Sequence, residues 1–445
     1  MELRDLIITP LVIIIVYGVA YVIRPLVTDQ INRVYFIPAL TVKIVGAIAV
    51  GFTYQFYYTG GDTFNYHMHG SRHIWEAFID SPSLGLRLIF NDGTVEPDLY
   101  KYSSKMAFFN DPASYLIVRI AGVLDIFTFS TYSATAVLFA VFSFVGMWLF
   151  FLTFYKQYPH LHLGIAVAAF FIPSVFFWGS GLLKDTITLG FLGMATYSIF
   201  KIFILKEPKS NIFVLLLGSL YGLYVIKIYI LLTFLPAAIL WAFVVHLRTT
   251  RSLVLRLVLF PFVITIAGTL AYYAMVKAGE DNAKYSIDNF AKTAQITAYD
   301  IRYQSGRDAG SGYELGKLDG TFGSMLALAP QAINVSLFRP YLWEVNNPLM
   351  LLSGLESSLL LLYCIYILIT KNLRIFKAIG NPDVFFALIF ALTFAFAVGV
   401  STFNFGTLAR YKIPMLPFFL LALVLLQDRQ SFSSEEGAGE QPADV

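Results

Sequence analysis

Long apolar runs alternate with short polar segments along almost the whole chain. About 20 apolar residues in a helix are enough to cross the hydrocarbon core of a bilayer. The runs therefore predict about eleven membrane-spanning helices and an all-α, polytopic membrane protein. The predicted spans lie at roughly 6–23, 35–57, 132–155, 163–179, 186–204, 212–226, 228–247, 253–276, 347–370, 383–401 and 411–427.

One apolar run is too long for a single span. As one helix, Ile212–Val245 would be ~50 Å long, whereas the hydrocarbon core is ~30 Å thick. Lys227 lies within this run, and a charge at the centre of a membrane helix costs ~2.5 to 3.5 kcal/mol or more. We therefore predict a break at Lys227 that divides the run into two spans.

Composition agrees with a membrane protein. Of the 445 residues, 58% are hydrophobic and only 13% are charged, which excludes an ordinary soluble globular domain. The net charge is +3 and the basic residues are spread over short loops, so a nucleic-acid partner is not expected. Cys364 is the single cysteine, which excludes a disulfide framework.

The basic residues of the short loops set the predicted orientation. If the spans alternate, these residues share one face, which the positive-inside rule makes cytoplasmic. They are Arg24, Arg33, Lys156, Lys201, Lys206, Lys209, Arg248, Arg251, Arg256, Lys371, Arg374 and Lys377. The external face then carries two long loops, at about 59–130 and 277–346. We expect residues 1–430 to form one multispanning domain of the cell (inner) membrane and 431–445 to be a disordered cytoplasmic tail.

The first stretch that suggests chemistry is Gly60–Gly70, directly after the second predicted span. Its paired glycines allow a sharp turn, and a helix beginning near Asp62 presents four polar residues on one face. These residues, spaced i, i+4, i+7 and i+11, are Asp62, Tyr66, His69 and His73. They could offer a base, a phenol and two imidazoles to one substrate, with His67 nearby. The alternative is that Asp62 only caps an interfacial helix and the aromatic residues and histidines lie in the headgroup belt.

The same stretch allows a metal site. Asp62, His69 and His73 could form a facial set of three ligands for a divalent cation such as Mg²⁺ or Mn²⁺. Interfacial histidines that hydrogen-bond to lipid or to neighbouring side chains are the alternative. No cofactor other than this cation is expected.

Three further polar clusters lie at predicted external ends of spans. Lys184 and Asp185 follow two glycines and are both predicted to bind substrate. The lysine can meet a phosphate there, or it can simply pair with Asp185. The other two clusters are predicted to bind substrate through Arg339 and Glu344, and through Arg410, Tyr411 and Lys412. Arginine suits bidentate phosphate binding. Together, one carboxylate and several cations suggest that the protein holds a lipid-linked phosphate and activates a hydroxyl group beside it.

Three of these stretches resemble elements of known membrane enzymes. Gly60-Gly61-Asp62 followed by Tyr66 resembles the acidic loop motif of the GT-C superfamily of integral-membrane glycosyltransferases. Ala409–Pro414 resembles the late Arg-Tyr-x-x-Pro element of the lipid A aminoarabinose and mannosyl transferase branches. Ser180–Asp185 is similar to a Gly-x-x-Lys-Glu/Asp turn of polysaccharide-cluster membrane proteins. This chain has a single Asp62 where many GT-C members have an acidic pair.

The resemblance implies a GT-C-like fold with external interfacial helices. It also implies an inverting transfer of sugar from a polyprenyl-phosphate-linked donor to an envelope lipid or polysaccharide acceptor on the external, periplasmic face. Asp62 would act as general base or metal ligand. Two alternatives remain open. A polysaccharide repeat-unit polymerase or ligase would depend on Arg302, Arg307 and Arg339 rather than on Asp62. A transporter or flippase would show repeated halves with broken helices, and the sequence shows no internal repeat.

Overall fold

The computed structural model describes residues 2–249, 296, 312–313, 315–316, 322–371, 379–402 and 404–428. Within these ranges the chain is helical and forms no β-strand; its only extended pairing is an isolated bridge between Gly312 and Asn404. The first half contains helices α1 Asp5–Val27, α2 Arg33–Phe52, α3 Asp62–Tyr66, α4 Arg72–Asp80, α5 Pro82–Phe90, α6 Tyr100–Ser103, α7 Pro112–Thr128, α8 Tyr132–Tyr155, α9 His162–Phe170, α10 Pro173–Trp178, α11 Lys184–Ile199 and α12 Ser210–Thr249. The second half contains α13 Phe322–Ala327, α14 Ala329–Phe338, α15 Pro348–Lys371, α16 Pro382–Gly399, α17 Phe405–Tyr411 and α18 Leu416–Gln427.

Seven of these helical segments are long and apolar enough to cross a membrane. The bent pair α17 and α18, whose axes differ by 68°, makes an eighth if it counts as one span. The structure therefore supports a membrane-embedded helical protein with seven or eight candidate spans in its described part. The predicted span at 253–276 lies outside the described residues. The predicted span at 163–179 is instead two short helices, α9 and α10, because Pro173 begins a new helix after an interruption.

The helix α12 is interrupted where the sequence predicts a break. Its backbone leaves the helical region at Lys227, with φ −148° and ψ 76°. Lys227 is only 8% exposed. The position of the break is confirmed, whereas the division of α12 into two separate spans stays a prediction.

Contacts within the chain divide it into two compact units. Unit 1 comprises Met1–Thr153, Ala169–Ile202 and Glu207–Leu231, and unit 2 comprises Phe154–Ala168, Phe203–Lys206 and Leu232–Val445. Each unit contains a share of the predicted site residues. That residues 1–430 form one multispanning domain stays a prediction.

Unit 1 is built around close helix packing at small residues. A Cβ added to Gly146 of α8 would lie 2.1 Å from the carbonyl oxygen of Gly190 in α11, and one added to Gly46 of α2 would lie 2.1 Å from that of Phe176. Such close approach is typical of helix pairs in membranes, where small residues let backbones touch. These contacts fix the beginning of α11, which carries Lys184.

Contacts at the ends of the helices show which termini of unit 1 lie together. The Asp5 carboxylate accepts a hydrogen bond from the Ser133 N–H at 2.9 Å, so the first turns of α1 and α8 are neighbours. Glu2 also pairs with Arg72 at the start of α4. The first turn of α8 therefore lies at the same end of unit 1 as the helices of the first long loop. The predicted alternation of α1 and α8 is consistent with this arrangement.

The core of unit 2 is aromatic. Trp241 of α12 stacks on Phe386 of α16 with ring centroids 4.3 Å apart and planes within 3°. Phe418 of α18 contacts Phe386 and Phe390 from another side. The Trp241 indole also donates a 2.7 Å hydrogen bond to the Asp383 carboxylate, which is only 5% exposed. A buried carboxylate is thus satisfied at the beginning of α16, as burial of a charge requires.

Candidate functional site

The turn that precedes Asp62 adopts an uncommon backbone conformation. Thr59, Gly60 and Gly61 all have positive φ, at 55°, 142° and 126°. Any side chain at position 61 would be strained, and its Cβ would lie 2.7 Å from the Tyr54 ring. The predicted use of the glycines for a sharp turn is confirmed. Asp62 is the first residue of α3 and is partly exposed.

The helix that begins at Asp62 is shorter than predicted. It ends at Tyr66 and is followed by a π-helical turn, His67–Ser71, in which His69 leaves helical geometry with φ −104° and ψ 22°. The freed His69 carbonyl accepts a hydrogen bond from the Ala107 N–H at 2.8 Å. The predicted single face, with Asp62, Tyr66, His69 and His73 at regular helical spacing, is therefore wrong. A π turn inserts an extra residue and rotates everything after it relative to the first turn.

Tyr66 and His67 are buried rather than presented to a substrate. Tyr66 is 3% exposed and its ring packs on Phe108, with centroids 4.9 Å apart. His67 is fully buried, and its Nε2 lies 3.4 Å from the Asp125 carboxylate. Neither His67 ring nitrogen has a hydrogen-bond partner within the part of the chain that the structure describes. Both residues were predicted to contact substrate, but their burial gives this prediction no support.

Asp125 explains how the Asp62 segment is held against the spans. Its carboxylate accepts 2.6 Å hydrogen bonds from the hydroxyls of Ser71 and Thr135. In addition, the Thr63 hydroxyl lies 2.7 Å from the Tyr132 hydroxyl. These buried contacts tie the segment after Asp62 to α7 and α8. The position of Asp62 is thus fixed by contacts on both sides of the π turn.

The predicted metal ligands do not form a site. Among the described residues, no three His, Cys, Asp or Glu side chains come together as a cation would require. Because of the π turn, Asp62, His69 and His73 are not on one helical face. His73 instead contacts Glu76 of its own helix, with Nδ1 2.9 Å from the carboxylate. The prediction of a metal site at these three residues is wrong, because the π turn changes the direction of the side chains that follow it.

Lys184 brings two carboxylates of unit 1 into one charged group. Its ammonium lies 3.2 Å from Asp111 and interacts electrostatically with Asp62 and, unfavourably, with Lys227. The Lys184 side chain is 18% exposed, and that of Asp111 is 50% exposed. Burial raises the pKa of Asp111, but the Ser114 hydroxyl and the Lys184 ammonium outweigh this effect and hold the pKa below its usual value. Asp111 is therefore a carboxylate held beside the Lys184 ammonium.

Asp111 was missed by the sequence reasoning. It precedes Pro112, the first residue of α7, so its sequence context indicates only the start of a helix. Its distance of 73 positions from Lys184 gives no sequence pattern that links them. Lys184 interacts electrostatically with both Asp111 and Asp62.

Asp185 has a structural partner rather than the one the sequence suggested. It is 1% exposed and pairs with Lys227 at the interruption of α12. Neighbouring residues of a helix point in different directions. Lys184 therefore faces the Asp111 carboxylate, and Asp185 faces the Lys227 ammonium. The simple Lys184–Asp185 pairing is wrong, and the predicted substrate contact of Asp185 has no support from its exposure.

Lys43 supports the turn that leads to Lys184. It is fully buried, and its ammonium donates hydrogen bonds to the Gly179 carbonyl at 2.8 Å and the Ser143 hydroxyl at 3.0 Å. A third contact reaches the Val175 carbonyl at 3.4 Å. Cations are favourable at the carboxyl end of a helix. Lys43 thus binds the end of α10, five residues before Lys184.

In unit 2, Arg339 is engaged by protein groups. Its Nε lies 3.0 Å from both carboxylate oxygens of Glu344, and its Nη2 contacts the same carboxylate. The guanidinium also lies over the rings of Tyr313, Tyr341 and Phe405, at 5.8, 5.8 and 5.3 Å from their centroids. Burial raises the pKa of Glu344, but Arg339 and the Tyr341 N–H lower it below the usual value. The predicted pair of polar residues is thus one ion pair in an aromatic setting.

The late basic cluster divides by exposure. Arg410 and Tyr411, at the end of α17, are partly exposed. Lys412 is 1% exposed, and its ammonium donates a 3.0 Å hydrogen bond to Ser357 and interacts with Glu356. Arg410 and Tyr411 remain candidates for binding substrate, whereas Lys412 binds the neighbouring helix α15.

The candidate site is therefore described in two parts. Unit 1 contributes Asp62, Asp111 and Lys184 as one charged group, and unit 2 contributes Arg410 and Tyr411. Their convergence on one pocket stays a prediction. Arg302 and Arg307 lie outside the described residues. Comparison of the chain with protein-family models, curated proteins and solved structures finds no match.

Proposed function

We propose that the protein is a membrane glycosyltransferase that moves a sugar from a polyprenyl-phosphate-linked donor to an envelope lipid or polysaccharide. The observation that carries the proposal is the partly exposed Asp62 at the end of a candidate span, within electrostatic range of Lys184. A base and a cation are the two groups that displacement at a sugar phosphate needs.

The reaction follows from these two charges. The Asp62 carboxylate takes the proton of the acceptor hydroxyl as its oxygen attacks the anomeric carbon. The bond from that carbon to the phosphate oxygen breaks, and the electron pair leaves with the polyprenyl phosphate. Lys184 stabilises the charge that develops on the phosphate. A single displacement of this kind inverts the anomeric configuration, and Asp111 holds Lys184 in place.

The test is Asp62→Asn in full-length protein reconstituted with radiolabelled polyprenyl-phosphate hexoses and pentoses. Loss of the base is expected to lower transfer by ~10² to 10⁴-fold. Asp98→Asn is the matched control, because the Asp98 side chain is 71% exposed and pairs only at the surface with Arg87. Normal transfer by Asp62→Asn would refute the base assignment. If Arg339→Lys abolishes transfer while Asp62→Asn does not, the polymerase or ligase becomes the better explanation.

The predicted external face has its own test. Single cysteines at positions 62 and 410, in a Cys364→Ser background, are expected to react with an impermeant maleimide from the periplasmic side of intact cells. Labelling of the two positions from opposite compartments would refute the prediction that both lie on the external face.

A further inference from the structure

An exposed aromatic pair in unit 2 lies outside the proposed chemistry. Trp343 is 82% exposed, and the other four tryptophans of the chain are buried or only partly exposed. Its ring stacks on Tyr341 with centroids 4.8 Å apart and planes 23° apart. One face of the indole is therefore covered by Tyr341, and the other is open. Tyr341 directly precedes the short turn Leu342–Glu344, which contains Trp343 and ends four residues before the span α15 begins at Pro348.

The orientation of Tyr341, on which Trp343 stacks, is held by polar contacts. The Tyr341 hydroxyl accepts a hydrogen bond from the Asn334 amide at 3.1 Å, and the Tyr341 N–H donates to Glu344 at 2.8 Å. Arg339 lies over the Tyr341 ring and pairs with Glu344. A tryptophan that only anchors a span in the headgroup region needs no such support. The arrangement instead keeps an aromatic surface in one orientation before any ligand arrives.

We propose that the open face of Trp343, backed by Tyr341, is a stacking platform for a pyranose ring. One face of a pyranose carries C–H groups with partial positive charge, which suit the negative face of an indole. A rigid aromatic surface binds at little cost in side-chain entropy. Arg339 and Glu344 contact Tyr341 and hold this backing ring in place.

The site is distinct from the charged group of unit 1 and takes a saccharide rather than a phosphate. That this saccharide is the glycan acceptor rests on the proposed function, whereas saccharide binding itself does not. A lipid headgroup region is the competing environment for Trp343.

The test is saturation-transfer NMR on full-length protein in nanodiscs, with methyl α-D-mannopyranoside and methyl β-D-glucopyranoside as probes. Sorbitol is the ligand control, because it has the hydroxyl groups without the apolar ring face. The wild type is expected to transfer saturation to ring C–H protons of at least one pyranoside and not to sorbitol. Trp343→Ala is expected to lower the signal at least fivefold, and Trp343→Tyr to retain part of it. Phe90→Ala is the protein control, because Phe90 is an aromatic residue of unit 1 with 81% exposure.

Three results would overturn the proposal. They are equal signals from sorbitol and the pyranosides, an unchanged signal in Trp343→Ala, or an equal loss in Phe90→Ala. In the second case, quenching of Trp343 fluorescence by brominated lipids would identify it as a headgroup anchor. Asp62→Asn separates this proposal from the proposed function. It is expected to keep saccharide binding, so failure of the transfer assay leaves the binding result standing.

Discussion

The packing of α8 against α11 can be tested by adding one methyl group. In Gly146→Ala the new Cβ would lie 2.1 Å from the Gly190 carbonyl oxygen and 2.5 Å from its Cα. Both atoms belong to the backbone, so no side-chain rotation can relieve the contact. The helices must separate by at least 0.9 Å to bring 2.1 Å to the 3.0 Å limit of real Cβ contacts. This movement would displace the beginning of α11 and therefore Lys184.

Two opposing effects set the magnitude. Overpacking in a well-packed interior costs about 1–3 kcal/mol, and here the cost should lie at the upper end because only backbone atoms are involved. Alanine recovers about 1 kcal/mol of helix propensity relative to glycine. We expect Gly146→Ala to lower the free energy of unfolding by about 2 kcal/mol. Gly18→Ala is the matched control, because nothing lies within 4 Å of a Cβ at that helical position.

The assay is unfolding by graded SDS in mixed micelles, followed by circular dichroism. Gly18→Ala is expected to be as stable as the wild type or slightly more stable, and Gly146→Ala clearly less stable. If both variants unfold at the same SDS fraction, the close approach of α8 and α11 is refuted. The explanation of how Lys184 is positioned then fails with it.

Two further predictions concern ion pairs. Lys227→Met leaves Asp185 buried without its cation and is expected to lower the free energy of unfolding by about 3–5 kcal/mol. The double variant Lys227→Met with Asp185→Leu is expected to lose less than Lys227→Met alone. Additive losses in the SDS assay would contradict this expectation. Because the pKa of Glu344 is lowered in the folded protein, its pair with Arg339 contributes fully to the free energy of unfolding at pH values above 4.5, the ordinary pKa of glutamate. This contribution is lost as the pH falls through the lower pKa of the folded protein. Unfolding measured from pH 7 to pH 3 should show this loss in the wild type and not in Glu344→Gln.

The spans were the most predictable part of the fold. Six runs match candidate spans within a few residues, because about 20 apolar residues are sufficient to define a membrane helix whatever it packs against. They correspond to α1, α2, α8, α11, α15 and α16. The interruption between α9 and α10 was not predicted, since hydropathy does not distinguish one long helix from two short ones. At the π turn His67–Ser71, the His69 carbonyl accepts a hydrogen bond from the Ala107 N–H. No local sequence pattern reveals this contact.

The candidate site was predictable as a set of residue types but not as a set of partners. The sequence indicated that Lys184 and Asp185 lie at a helix start, and the structure agrees. It could not show that Lys184 meets Asp111 and that Asp185 meets Lys227, because these partners are 73 and 42 positions away. Pairing over such distances is decided by helix packing. The Lys184–Asp185 pair, which the sequence left open as an alternative, is not the one that forms.

Exposure separates the charges that build the protein from those that can act on a substrate. A charge inside a membrane protein must be compensated by the fold, and Lys43, Lys227 and Lys412 are at most 8% exposed with protein partners. A group that acts on a substrate must also reach it. Lys184 and Asp62 meet this requirement because both are partly exposed at the end of unit 1 that carries the first long loop. The sequence offered Lys184, Arg410 and Lys412 alike as cations that could bind a phosphate, and burial removes Lys412 from that set.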